Sequence, residues 1–213
     1  MKYLSNKEGF LGTDNKFKIK NKVVIVPFGL EKSVSYGSGT KNGPKEIIKA
    51  SHQVELFDED LNCEPYKKIG IKTLRPFKIR KNMKDALAQI SKINDNIISQ
   101  KLFPLVLGGE HSITPGCIVP FVKKYKNLCL LHFDAHADLR ESYNGNKFSH
   151  ASAIKRCLDH KNVRVVSFVF EVRPSMSFIF HVRRVLFTTR SGNQGTTGTT
   201  FQLGTPESSQ GFP

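Results

Sequence analysis

The chain has 213 residues, enough for one sizeable core, and its 38% hydrophobic content is low for an enzyme without being that of a disordered polymer. Its 33 basic and 18 acidic residues give a formal charge of +15. The lysines are dispersed, with no long basic run and no interleaved aromatic motif, so the charge reads as a solvated surface rather than a nucleic-acid-binding face. Cys63, Cys117, Cys129 and Cys157 include no C-x-x-C pair, which excludes zinc-ribbon and thioredoxin-type chemistry. No apolar run nears the roughly 20 residues of a membrane span, and residues 1–5 lack the apolar core of a signal peptide. A cytoplasmic protein is expected.

Residues 23–28 read as a buried strand, short, rich in Val and Ile, and closed by Gly29. A loop with Gly37, Gly39 and Gly43 follows. It is not G-x-G-x-x-G set directly between strand and helix, so its glycines are read as serving a sharp loop rather than a phosphate cradle. Pro44 suits the first turn of a helix running to about His52, since no amide donor is needed there. Residues 54–57 and 71–74 are further strand candidates. Leu87, Ile90, Ile93, Ile97 and Ile98 recur at helical spacing, so residues 82–99 predict an amphipathic helix. Then come a strand over 103–107, a helix over 113–125 bent or delayed by Pro115 and Pro120, and a strand over 128–133. A helix over 149–158 and a strand over 163–168 complete the pattern. Strands separated by helices imply βαβ units and a mostly parallel sheet in an α/β fold.

Composition changes near Phe168. No lysine follows Lys161 and no aspartate follows Asp159, while residues 191–213 are mainly Gly, Thr, Ser and Gln with Glu207 as the one charged residue. That last stretch has too little apolar surface to offset its ordering entropy and is expected to be disordered. Residues 169–190 could form one or two strands. The joint change in lysine, acid and complexity suggests that this part is not the original continuation of the chain, as from a shifted reading frame or a truncated gene.

Two strand ends carry the chemistry. The run ending at Leu107 leads into Gly108-Gly109-Glu110-His111-Ser112, and the run ending at Phe133 leads into Asp134-Ala135-His136-Ala137-Asp138. In open α/β sheets ligands bind outside the carboxyl ends of the strands. His111, Asp134, His136 and Asp138 therefore form a candidate metal site from two neighbouring strands. Imidazole and carboxylate donors suit Mn, Fe or Zn, and no cysteine stands near enough in sequence for a soft site. A carboxylate bridging two ions could share an activated water for attack on an electrophilic carbon. His150 could pass a proton to a leaving group or could cap the helix that begins beside it. His132, inside the strand, reads as a satisfied core histidine or a neighbour of the site.

These motifs together resemble the ureohydrolase family of arginases and agmatinases, over roughly residues 20–168. Val26-Pro27-Phe28, the segment 35–40 with Gly43-Pro44, the G-G-E-H-S and D-A-H-A-D motifs, and Ser149-His150-Ala151 carry the likeness, which is nearer to agmatinase. The resemblance implies a three-layer, arginase-like α/β fold and an enzyme using two Mn2+ ions to hydrolyse a guanidino compound, agmatine first, to urea and an amine such as putrescine. It implies His111 on one ion, His136 on the other, Asp134 bridging, Asp138 on the first ion and orienting the hydroxide, and His150 as proton shuttle. Glu110 and Glu141 would then make a carboxylate-rich mouth for a dicationic substrate. A homo-oligomer is expected from the family. On this reading residues 1–168 are the family part and 169–213 lie outside it. The family's third motif, a later strand end with two aspartates, has no counterpart after Asp159, so weak manganese binding and little activity are expected. The competing reading is a non-catalytic relative that binds or modulates intact homologues.

Overall fold

The computed structural model describes residues 1–13 and 19–170, together with strands at Val182–Thr188 and Thr199–Phe201. Strands β1 (Asn21–Phe28), β2 (Gly70–Thr73) and β3 (Phe103–Gly108) form a parallel sheet in the order β2-β1-β3. Strands β4 (Leu128–Asp134), β5 (Val163–Phe170), β6 (Val182–Thr188) and β7 (Thr199–Phe201) form a second sheet. There β4 and β5 are parallel, and the two later pairings are antiparallel. The α/β class is as expected. The parallel strands, however, fall into two sheets among the described residues, because β3 pairs only with β1 and β4 only with β5.

β1 is a continuous apolar run because it is covered on both faces: Val24, Ile25 and Val26 are no more than 1% exposed. Val24, Val26 and Phe28 pack with Ala86, Ile90 and Ile97 of helix α2 (Met83–Ser99). That helix starts where the side chain of Asn82 accepts the Lys84 and Asp85 amides. Helix α1 (Gly43–Ala50), with Pro44 in its first turn, packs against β1 and β3. Residues 54–57 form no strand. Val54 and Phe57 are about half exposed, and the nearest pairing is an isolated bridge between Asp58 and Cys63.

Helix α3 (Thr114–Lys124) is the wedge between the two sheets. Gly116 approaches α2 so closely that a Cβ there would lie 2.6 Å from the Leu87 carbonyl oxygen. Cys117 packs on the first core, while Ile118 joins Ile154, Cys157, Val163 and Val165 in the second. Pro115 sits in the first turn and Pro120 within the helix, as the sequence suggests. Helix α4 (Ala153–Leu158) follows a 3-10 turn at His150–Ser152 and seals the second core.

β5 continues to Phe170, and β6 supplies one of the strands expected over 169–190. The expected disorder of residues 191–213 does not hold at Thr199–Phe201, which pair with β6; the rest of that stretch lies outside the described residues. No helix of the described residues is long and apolar enough to cross a membrane.

The packing predicts a contrast between two thiols. Cys157 is fully buried, and burial pushes its thiol up to about 12, whereas Cys129 is exposed on β4. In the folded protein at mildly alkaline pH, a maleimide modifies Cys129 promptly and Cys157 only when the chain unfolds. Equal rates, read by peptide mapping, contradict this arrangement.

Candidate metal centre

The centre lies where β3 and β4 end. After Gly108 the chain turns sharply, and Gly109 passes against the backbone after β1. A Cβ on Gly109 would lie 2.0 Å from the Leu30 carbonyl oxygen, so only glycine fits this approach. Glu110 follows, and then a 3-10 turn, His111–Ile113, that opens α3. His111 is thereby fixed by the first sheet below and by α3 beyond.

Asp134 is the last residue of β4, and the chain then loops back to α4. That loop is pinned by hydrogen bonds from the Lys155 amide to the Asp138 carbonyl and from the Arg140 amide to the Ala151 carbonyl. Asp138 has φ 51°, a left-handed conformation that aspartate tolerates better than most residues. The turn carries its carboxylate back to His111, with Oδ2 2.5 Å from Nδ1. Asp134 Oδ2 is 3.8 Å from the same nitrogen and 3.5 Å from Nε2 of His132. The His111 and His132 rings are stacked, with centroids 5.2 Å apart and planes 20° from parallel.

Donor atoms of His111, His132, Asp134 and Asp138 all lie within 4.8 Å of one another. His136 stands outside this group. Its side chain is 81% exposed, and its Nδ1 is 3.5 Å from the other oxygen of Asp134, Oδ1. The His136 amide donates to that oxygen at 2.9 Å. The difference between His132 and His136 follows from strand geometry. Alternate residues of a strand share a face, and β4 ends at Asp134, so the shared face runs back to His132 rather than forward to His136. That parity was the signal in the sequence for His132, and it applies only to residues within the strand.

The donor set suits a divalent ion: two imidazoles and two carboxylates without a thiolate. The buried Nε2 of His132 has no well-formed hydrogen bond; the neighbouring acceptor, Asp134 Oδ2, stands 3.5 Å away. Burial, and after it the neighbouring His111, hold the His132 imidazole below its usual range, against the opposing pull of Asp134 and Asp138. An ion among these groups would balance the carboxylates.

His150 opens the 3-10 turn before α4, and this turn packs on the one bearing His111. Its Nε2 is 3.0 Å from Ser35 Oγ, its Nδ1 3.4 Å from Ser33 Oγ, and its ring meets Tyr143 edge-on. The loop carrying these serines is held by Glu110. That carboxylate is buried and accepts the amides of Lys32 and Ser33 and the hydroxyls of Ser33 and Ser112. Glu110 thus anchors the loop that touches His150 and does not line a mouth. Glu141 is also committed elsewhere, to Lys155 and Arg156, whose hydrogen bonds hold its carboxyl below the usual range. The carboxylate-rich mouth expected from these two residues is therefore not formed by them.

Glu110→Ala would leave the part-buried Lys32 and Ser33 amides and the buried Ser112 hydroxyl without their acceptor and loosen the loop, costing about 2–3 kcal/mol in urea unfolding. Glu141→Ala, which removes an exposed carboxylate and leaves Arg156 its second partner Asp159, lowers the unfolding midpoint much less. Equal effects of the two substitutions contradict the anchoring role.

Comparison with known proteins matches residues 21–178 to the Arginase family, past the compositional break. N(1)-aminopropylagmatine ureohydrolase of Synechocystis sp. is 32% identical over 144 residues, covering 64% of this chain and 47% of that relative. The agmatinase of Bacillus cereus is 35% identical over 144 residues, covering 66% and 48%. The agmatine ureohydrolase structure of Thermoplasma volcanium aligns with a TM-score of 0.59 and 27% identity, over 74% of this chain and 52% of that one. The chain spans about half the length of the curated relatives it matches. With the fold in agreement and the family match running over most of its length, the chain belongs to the arginase family.

Proposed function

We propose that this chain serves manganese-dependent hydrolysis of a guanidino compound, with agmatine as substrate and putrescine and urea as products. The observation that carries the proposal is the meeting of His111 with Asp134 and Asp138 from two strand ends that share no strand pairing. The names of the two relatives, an agmatinase and an N(1)-aminopropylagmatine ureohydrolase, support agmatine or an extended form of it.

In this reading His111, Asp134, His136 and Asp138 hold manganese. Asp134 turns Oδ2 toward His111 and His132 and Oδ1 toward His136, a disposition suited to a bridging carboxylate. The bound metal would supply Lewis acidity that makes water reactive at neutral pH. The chain's own groups do the rest. Asp138 orients the attacking water, and His150, steadied by Ser33 and Ser35, passes a proton to the departing amine. A guanidinium carbon is resonance-stabilised, so the leaving nitrogen needs that proton as much as the carbon needs a nucleophile. A cytoplasmic enzyme of polyamine metabolism, a homo-oligomer, and a family portion ending near residue 168 belong to the same proposal. They rest on the family likeness and on the change in composition.

The sequence holds no aspartate after Asp159, so these donors bind metal without the later pair of aspartates that the family resemblance implies. The purified chain should take up manganese weakly and release urea slowly, from agmatine faster than from arginine. Asp134→Asn should abolish both uptake and release. Equilibrium dialysis and a urea assay check this. Stoichiometric tight binding with rapid turnover overturns the predicted weakness, and absence of any divalent-ion uptake overturns the site.

A further inference from the structure

The loop between β4 and α4 contains a small hairpin that carries none of the proposed metal ligands. Tyr143 and Asn146 form a bridge, the amide of each donating to the carbonyl of the other at 3.1 and 2.9 Å. Between them Asn144 and Gly145 have φ 48° and 74°. Two left-handed residues in succession are what a tight hairpin turn requires, and Asn-Gly is the pair that adopts them most readily. Asn146 is fixed in turn, its side chain accepting the Phe148 amide at 2.9 Å.

The hairpin holds the Tyr143 ring between two neighbours. The Arg140 guanidinium carbon lies over the ring, 5.3 Å from its centroid, within the range of a cation–π contact. The His150 ring centroid is 5.6 Å away with the two planes 72° apart, an arrangement that aromatic pairs favour. Arg140 is itself tied to the turn that carries His150, its amide donating to the Ala151 carbonyl at 3.2 Å. The imidazole thus meets Ser35 and Ser33 at its two nitrogens and Tyr143 elsewhere on the ring. Contacts at two nitrogens fix an axis through the ring but leave it free to rock about that axis. A third contact is needed to fix the plane, and Tyr143 supplies it.

We propose that Tyr143 is a positioning residue for His150: its ring, set by the Asn144-Gly145 hairpin and backed by Arg140, fixes the plane of the imidazole. The inference rests on the reading of His150 as the proton carrier, and it needs the ring of Tyr143 but not the hydroxyl. A proton carrier works from one orientation, because transfer requires hydrogen-bond reach to the departing nitrogen.

Two readouts on the full chain test it. One is the His150 imidazole signal in NMR spectra of the metal-free, histidine-labelled protein, assigned by its loss in His150→Asn. The other is urea release with Mn2+ and agmatine. Tyr143→Phe should keep one narrow signal and an unchanged kcat. Tyr143→Leu should broaden or split the signal and lower kcat by about tenfold with KM unchanged, a part of what a positioned acid contributes. Gly145→Val adds its side chain to open space but sets a β-branched residue at φ 74°. It should reproduce the Leu effect without altering either ring. Protection of Cys157 from alkylation reports whether each variant keeps its fold, and if Tyr143→Leu does not fold, Gly145→Val decides. A narrow signal and unchanged kcat in the folded Leu and Val variants overturn the inference. Equal loss in Tyr143→Phe also overturns it, since the effect then belongs to the hydroxyl. Absence of urea release by the unsubstituted chain overturns the reaction proposed above, while the His150 signal still decides the positioning.

Discussion

His111 Nδ1 and Asp138 Oδ2, 2.5 Å apart, join two sheets that share no strand pair among the described residues. Everything proposed for the chain depends on that contact. Neither residue reaches it by local structure alone. His111 is set by Gly109 pressed against Leu30 and by the start of α3, and Asp138 by a left-handed turn pinned to α4. The two supports meet because α3 packs on α2 on one side and on α4 and β5 on the other. A metal site needs its donors held in advance, and here the apolar cores do the holding.

Much of this framework is legible in the amino-acid order. β1 declares itself by Val and Ile residues buried on both faces, and α2 by isoleucines at helical spacing behind a capping asparagine. Pro44 and Pro115 mark first turns correctly, because an absent amide costs nothing there. Residues 54–57 mislead, since a short apolar run becomes a strand only if another strand accepts its hydrogen bonds. The division into two sheets is not legible either. Strand pairing between distant segments depends on which edges meet, and no local pattern encodes that.

The site shows the same division between local and distant information. That His111, Asp134 and Asp138 belong together follows from motifs at two strand ends. The placement of His132 and His136 turns on where β4 stops, a boundary that a sequence pattern locates only to within a residue or two. Glu110 is the clearest case of distant information. Its neighbours in sequence suggest a site carboxylate, but its partners Lys32 and Ser33 lie far away along the chain and draw it inward. Through Ser33 it steadies the loop whose serines touch His150, so one buried carboxyl group links the first sheet to the candidate proton carrier.

The chain belongs to the arginase family, and its own geometry sets how much of the proposed chemistry these residues can support. The central claim is that groups from two separate sheet edges share one divalent ion. Anomalous diffraction at the manganese edge, from crystals of the full chain grown with Mn2+, measures this directly. The expected result is a peak at bonding distance, about 2.1 Å, from His111, Asp134 and Asp138. A map without a peak there, with His111 turned away from Asp138, contradicts it.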